Sequence, residues 1–538
     1  MGWDDAGRIR HTKVNRISSL SNEQGTIIKD WGGRLPISLV YPNSYFIGMS
    51  NLGIHAIYKF LNNYNDVVCE RVFQSDKNVL SLESKRPLLD FAVVAFSISY
   101  ELDYFNVVDI LKRSNIPLYA SERGEHHPLL IAGGACITAN PMSLAPFFDC
   151  LCIGEAESIL PELLSALSHR ADTKETTLEE LAKLQGVYVP RYHVNQVLHR
   201  QWLKNLDDFM VCSSVVTADT ELGNLYLLEV GRGCNWSCRF CLVSRAFCPA
   251  RYHSIDRLSK QASKGLEYRK RIGLVGPMFS DHPQIGELFT ALRYMGADIS
   301  LSSLRIKPLS EPLLDEIARG GIQTVTLAPE AGSQRLRHVM GKKISQDDIL
   351  KAVASIVDRG MKRFKLYFMI GLPSETDDDI EKIISLSTMC KQIIEKGGVG
   401  SRLSLNIDPF VPKAGTPFQW LPMADIPTLK HRLDILKRGL LPKGIKLRSE
   451  SVSWSHVQAA LARGDTKIAG VLTNIEEVTL AGWRKAVDKC HLNLAHYVLE
   501  KWDINQDLPW DNIELGSSKE HLISELNKAM ASARLDKS

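Results

Sequence analysis

Three cysteines, Cys234, Cys238 and Cys241, stand at CxxxCxxC spacing in the stretch RGCNWSCRFCLVSRAFCPARYHS, directly after the apolar run LYLLEV at 225–230. The apolar run reads as a buried strand, and Gly231, Gly233 and Asn235 make the following turn pliable enough to wrap a metal centre. A four-iron, four-sulfur cube normally takes four cysteines, so a three-cysteine loop leaves one iron open to a ligand from outside the protein. A closed zinc site is the competing reading. It needs four ligands, and the nearby Cys248 and His253 do not repeat the pair-and-pair spacing of a zinc ribbon.

A chain of 538 residues exceeds what one core supports and divides into several domains. No apolar run is long enough to span a bilayer, and the opening MGWDDAGRIRHTK lacks a signal-peptide core, so a cytoplasmic protein is expected. In that compartment the 11 cysteines serve as thiols and metal ligands rather than disulfides. A net charge of +4 gives no case for a membrane surface or nucleic acid as partner.

Residues 1–34 are polar and basic without periodicity and form an arm lying on a later domain. Over 35–170, short apolar runs (PISLVYP, VVCERVF, DFAVVAFSIS, PLLIAGGACI, FDCLCIG) alternate with helical periods, which predicts an α/β, doubly wound, Rossmann-like domain of parallel strands. Its strand ends carry Ser97, Ser99, Gly133, Gly134 and Gly154, where an open α/β sheet binds ligands. A connector without evident chemistry covers 171–222. From 223 to 440 six strand-and-helix units follow one another, starting with LYLLEV and ending with RLSLNIDPFVP and its helix. The remainder, 441–538, reads as mostly helical.

The cysteine spacing, with Phe240 directly before the last cysteine, resembles the radical S-adenosylmethionine superfamily. The resemblance implies a [4Fe-4S] cluster whose free iron is chelated by the amine and carboxylate of S-adenosylmethionine, and a partial (β/α)6 barrel of the triosephosphate-isomerase type with chemistry at its C-terminal strand ends. It places cofactor contacts at Ser280 and Asp281 after the second strand, although the usual Gly-Gly-Glu is absent, and at Ser302, Ser303 and Arg305 after the third. Glu330 ends the fourth strand; its bland alternative is a rim ion pair with Arg335 or Arg337. Ile370 and Gly371 in FMIGLPSET correspond to the fifth-strand motif that flanks adenine.

The segments IAGGACITANP and FFDCLCIGEAE resemble the cobalamin-binding domain that precedes many cores of this superfamily, which makes Ser97, Gly133, Gly134 and Gly154 candidate cobalamin contacts. The DxHxxG sequence that gives cobalt a histidine is absent, and His55 lacks the Asp two residues before it. The resemblance therefore implies a 5′-deoxyadenosyl radical and, where cobalamin is held, methylation of an unactivated carbon. The alternatives are cobalamin-independent radical oxidation or methylthiotransferase-like sulfur insertion and, from another class, an iron–sulfur electron-transfer or regulatory module. The expected partner is an electron donor such as flavodoxin or ferredoxin. Between Arg232 and Arg271 ten Lys or Arg face two acids, so a basic docking face beside the cluster is expected, with Arg269, Lys270 and Arg271 in it.

Ligand counting yields the first test. Changing Cys234, Cys238 or Cys241 to Ala should each abolish cluster assembly on anaerobic reconstitution, whereas Cys248→Ala should load normally, as followed by iron content and the visible spectrum.

Overall fold

The computed structural model describes residues 20–75, 78–168, 173–193, 196–320, 322, 324–398 and 400–535. Six strands form the first sheet: β1 (Leu35–Tyr41), β2 (Val67–Phe73), β3 (Val93–Ser97), β4 (Leu129–Gly133), β5 (Cys150–Cys152) and β6 (Val187–Tyr188). Their order is β2-β1-β3-β4-β5-β6, parallel throughout except for the β5–β6 pair. The order reverses direction between β1 and β3, and sheets of this topology bind ligands outside the C-terminal strand ends near that point. The helices Leu52–Asn62 and Ala156–Ser168 pack on one face.

Every residue of the edge strand β2 is buried. The segment from Leu20 onward provides the cover: Lys29 Nζ donates to the carbonyls of Asn62, Tyr64 and Val67, and Arg71 in β2 pairs with Glu23 at 2.6 Å and Glu83 at 2.8 Å. A sheet edge closed in this way offers no template for another strand. The first nineteen residues of the expected arm lie outside the described residues.

After β7 (Leu198–His199), the second half of the chain builds its own parallel sheet. It starts with β8 (Leu225–Glu229); a short antiparallel pair, β9 (Gly231–Arg232) and β10 (Arg251–Tyr252), then brackets the cysteine loop. There follow β11 (Arg271–Val275), β12 (Asp298–Leu301), β13 (Thr324–Glu330), β14 (Arg363–Ile370), β15 (Arg402–Pro409) and β16 (Lys446–Ser449). The sheets β12-β11-β8 and β13-β14-β15-β16 are joined by a parallel bridge between Leu304 and Leu327. The core is thus a mixed α/β partial barrel, and it runs one strand beyond the six units expected. The extra strand, KLRS, alternates between exposed and half-buried residues and has no apolar run to betray it. DISLSSLRI also yields a shorter strand than its length suggests, leaving Ser302, Ser303 and Arg305 in the following loop.

Side-chain parity explains how the barrel is lined. In β14, Phe364, Leu366, Phe368 and Ile370 are buried, while Lys365, Tyr367 and Met369 lie on the opposite, more open face; β15 repeats this with Leu403, Leu405 and Ile407 against Ser404, Asn406 and Asp408. One face packs on helices and the other, more polar, is left for the lumen.

The C-terminal region is helical, with Val452–Ala462, Lys467–Thr473, Leu480–Lys489, Leu494–Val498 and Lys519–Leu535, interrupted by β17 (Ile513–Glu514), which pairs with β7. It clamps both halves: Asn140 Nδ2 donates to the carbonyls of Ala462 and Gly464 at 3.1 and 2.8 Å, and Ser143 to that of Leu461 at 2.9 Å.

At the end of β5 the chain continues as a bridge between Gly154 and Gln201. Gly154 has φ +128°, and a Cβ there would lie 2.1 Å from the Gln201 carbonyl oxygen. Gly154→Ala should therefore lower stability by about 1–3 kcal/mol in a chemical denaturation series.

Candidate functional site

The three cysteines lie on the loop between β9 and β10, half-buried and free of disulfides. Gly233, at φ +81°, makes the loop possible: a Cβ would lie 2.1 Å from the Phe247 carbonyl oxygen and 2.5 Å from that of Pro249. The chain from Phe247 to Ala250 is fastened over it. Arg251 donates to the carbonyls of Phe247 at 3.1 Å and Pro249 at 3.1 Å, Arg200 donates to that of Cys248, and the Asn235 side chain accepts from the Ala250 N–H at 2.9 Å. Arg200 sits in the connector, where no chemistry was expected.

The second fastening is Arg239, between two of the cysteines. Its guanidinium donates to the carbonyls of His338 and Val339 at 2.9 and 3.0 Å and pairs with Glu525 of the helix Lys519–Leu535 at 3.1 Å. Phe240 packs partly buried against the core beside it.

Burial pushes the Cys238 thiol up to about 11, with Lys342 pulling it back; burial likewise raises Cys234 and Cys241. Thiols raised in this way would be deprotonated by a bound metal. Among the described residues no three His, Cys, Asp or Glu side chains converge as they would on a single ion. A cube does not ask for convergence, because each thiolate serves a different iron. Three thiols on one loop, with cations nearby, are a donor set that fits such a cluster.

Two charged groups flank the loop. Asp281, in the turn Phe279–Asp281, accepts from Arg305 and from Trp236 Nε1 at 3.3 Å; the Arg305 guanidinium lies 3.9 Å from the Trp236 ring centroid, and Ser280 donates to Asp281 at 3.3 Å. Glu330 ends β13 after a β-bulge, where the register shifts by one residue across Ala328 and Pro329, and takes φ +70°. A bulge re-aims the residue that follows it, and a left-handed non-glycine marks a position held by its surroundings. Its ion partner is Lys342 at 3.1 Å, not Arg335 or Arg337. Arg335 pairs instead with Asp379, and Arg337 donates to the carbonyls of Ala331, Gly332 and Ile344.

The remaining expected residues are placed differently from one another. Ile370 is fully buried in the core, because its parity turns it towards the helices; Met369 beside it has the lumen-side parity. Gly371 (φ +78°) donates its N–H to Glu375 at 2.6 Å, which shapes the turn. Ser302 and Ser303 are exposed. The basic docking face fails on geometry: Arg232, Arg239 and Arg251 are spent in ion pairs, while Arg269, Lys270 and Arg271 precede or begin β11, at the strand end opposite the cysteine loop.

Ser97, Gly133, Gly134 and Gly154 line a cavity of about 410 Å³. Its apolar branch runs between the sheet and the helices Leu52–Asn62 and Ala156–Ser168, among Leu39, Ala56, Phe60, Ala95 and Leu163. Its other wall is Gly231, Arg232, Gly233, Phe247 and Gly276, so the cavity reaches the cysteine loop. His55 stays outside it as a core residue, bonded to the Met49 carbonyl at 3.0 Å, and burial lowers its pKa to about 4.

Comparison with known proteins agrees with this geometry. The family profile described as "Radical SAM proteins, N-terminal" matches residues 53–190, and that of the "Radical SAM superfamily" matches 228–387. An uncharacterised protein of Methanocaldococcus jannaschii is 31% identical over 442 residues, covering 81% of this chain and 90% of the relative. The chain belongs to the radical S-adenosylmethionine superfamily. It is therefore an enzyme of the class that works with an iron–sulfur cluster and S-adenosylmethionine. Two solved structures share its fold. The radical S-adenosylmethionine methyltransferase TsrM of Kitasatospora setae, with cobalamin and a [4Fe-4S] cluster bound, aligns with TM-score 0.52 and 12% identity over 85% of this chain and 99% of its own. OxsB, a cobalamin-dependent S-adenosylmethionine radical enzyme, aligns with TM-score 0.51 and 12% identity over 94% of this chain and 79% of its own. No described helix is long and apolar enough to cross a membrane.

In the lumen, Asp408 is pushed up to about 6 by burial, with Glu450 and Glu330 adding to the effect. A carboxyl whose folded pKa is raised binds its proton more tightly when folded, so its ionisation opposes folding. The penalty is absent below the unfolded value near pH 4 and full above about pH 6. Asp408→Asn should accordingly stabilise the protein by roughly 2–3 kcal/mol at pH 8 and by much less at pH 5, measured by urea unfolding at both.

Proposed function

We infer that this enzyme holds cobalamin in its first domain and uses the radical chemistry of its superfamily to methylate an unactivated carbon. The observation that carries the reading is the cavity: an apolar slot inside the first domain that opens at Gly133, Gly134 and Gly154 and extends to the cysteine loop. The fit is chemical. An apolar slot suits the flat aromatic base that ends the cofactor's nucleotide arm, and a mouth of glycines lets a broad planar ring approach backbone closely. Among the described residues no histidine lines the cavity, which agrees with the missing DxHxxG. Bound cobalamin supplies a transferable methyl group.

The remaining roles belong to this chain. Cys234, Cys238 and Cys241 ligate the cluster. Arg305, fixed by Asp281 and stacked on Trp236, presents a guanidinium suited to the carboxylate of S-adenosylmethionine, and Glu330, steadied by Lys342, presents a carboxylate suited to its amine. The turn at Gly371 borders the same strand ends. Glu101 from the first domain reaches Lys413 and Gln458 across the lumen mouth, so the two halves together shut water from the reacting groups.

Titration of the anaerobically reconstituted full chain with hydroxocobalamin tests the reading. Binding should occur at or below about 10 µM, with a spectrum lacking the signature of a histidine-ligated cobalt. Ala95→Phe, which fills the slot, should abolish uptake while the cluster still assembles. Wild-type protein that takes up no cobalamin would move the assignment to cobalamin-independent radical chemistry.

A further inference from the structure

Among the described residues, one carboxylate of the first domain, Glu155, holds both arginines that bracket the cysteine loop. Glu155 directly follows Gly154 at the cavity mouth and is itself a lining residue. It is buried, yet it accepts four hydrogen bonds from beyond its own domain's sheet: from Arg232 at 2.8 Å, from Arg251 at 2.7 and 3.0 Å, and from the Leu203 N–H at 3.1 Å. Both arginines belong to the cluster loop's frame. Arg232 is the last residue of β9, two before Cys234; Arg251 opens β10 and grips the Phe247 and Pro249 carbonyls that press on Gly233. A displacement of Glu155 is therefore passed through the bidentate contact with Arg251 and the single bond from Arg232 to the backbone that sets Cys234.

We propose that Glu155 is a positioning residue that holds the cluster loop from the far side of the domain boundary, so that the occupant of the cavity and the cluster sense one another through it. The first half of this statement stands on the ion-pair geometry alone; the second rests on the reading of the cavity as a cobalamin site. The neighbour Glu157 provides the contrast. It pairs with Arg232 at 2.9 Å but makes no contact with Arg251, and Arg232 retains Glu155 and Glu229 without it.

The experiment uses the full chain, reconstituted anaerobically with iron and sulfide, and follows iron release to a chelator by absorbance, with and without hydroxocobalamin. Glu155→Gln, which keeps shape and removes charge, should release iron about 10-fold faster or more, the range expected when a group supporting a metal ligand is lost. Glu155→Asp, charged but too short to reach both guanidiniums, should fall between it and wild type, and Glu157→Gln should stay close to wild type. Circular dichroism melts separate these effects from unfolding, and Glu155→Asp keeps the comparison open if Glu155→Gln does not fold. Hydroxocobalamin should slow release from the wild type and leave the folded Glu155 variants unprotected, although their spectra show it bound.

A wild-type release rate in the folded Glu155 variants would overturn the positioning role. Equal protection by hydroxocobalamin in wild type and variants would overturn the coupling. Failure of hydroxocobalamin to bind the wild type would remove the cavity reading and the coupling with it, and the release rates would still decide the positioning role.

Discussion

Two guanidiniums sharing one buried carboxylate set the relation between the halves of this protein. Removing Glu155, Arg232 and Arg251 from water costs several kcal/mol per ion, and only near-ideal geometry with further hydrogen bonds offsets it. The geometry is of that kind: Arg232 meets Glu155, Glu157 and Glu229 at 2.8–2.9 Å, and Arg251 meets Glu155 with two nitrogens. The carboxyl of Glu155 stays below its ordinary range; burial works against this, and the hydrogen bond from Arg251 and the charges of both arginines overcome it. Apolar packing alone would let the halves slide, whereas directional pairs fix one register. The opposite flank is closed by neutral contacts, Asn140 and Ser143 on the carbonyls of residues 461, 462 and 464, and by the pair of Glu101 with Lys413. A cavity reaching from the face of the first sheet to the cysteine loop is kept open by walls held in this way.

The second half meets a different constraint. A parallel strand packs one face on helices, and a barrel too open to close on itself leaves its inner face without apolar neighbours. Tyr367, Asn406 and Asp408 have this inner parity, and the bulge at Pro329, which has no N–H to give the ladder, adds Glu330 to the strand end. Polar groups held partly desolvated on rigid strand ends are expensive to keep. The shift of Asp408 records that expense, and such groups belong to sites rather than to stability.

What the amino-acid order discloses follows from the range of the interactions concerned. The helices Glu311–Arg319 and Asp377–Glu395 are legible from the sequence, because their stripes and polar N-terminal residues, Ser310 and Thr376, are local signals. The cysteine loop is equally local. Strand parity was available for Ile370, since period two along RFKLYFMI places it with Phe364, Leu366 and Phe368, but the motif drew attention from the period. The basic stretch is not one face in space: the helix Ile255–Leu266 carries the chain from the cysteine loop to the opposite end of the sheet, where β11 begins, and arginines count as surface charge only until their partners are known. Nothing local announces that Glu155 meets Arg251 ninety-six positions later, or that Arg200 in an unremarked connector holds Cys248. The strand KLRS is silent too, being short and half-exposed.

The charges around the cysteines bear on how an anionic cluster is accommodated. Burial raises all three thiols, which favours their neutral form, so the cysteines themselves bring no negative charge to the loop. The cations are nevertheless in place: Arg305 acts on Cys234, Lys342 on Cys238 and Cys241, and Arg245, with its Nε and one terminal nitrogen buried and without partners among the described residues, on Cys238 and Cys241. If these three thiols held a cluster, they would give up their protons to it, and the added negative charge would meet these cations. The same field would favour the more negative, reduced state of a cluster held there, since nearby positive charge raises a reduction potential. Among the loop residues from Cys234 to Cys241 only Asn235 and Ser237 are exposed, so solvent screens this field from one side alone.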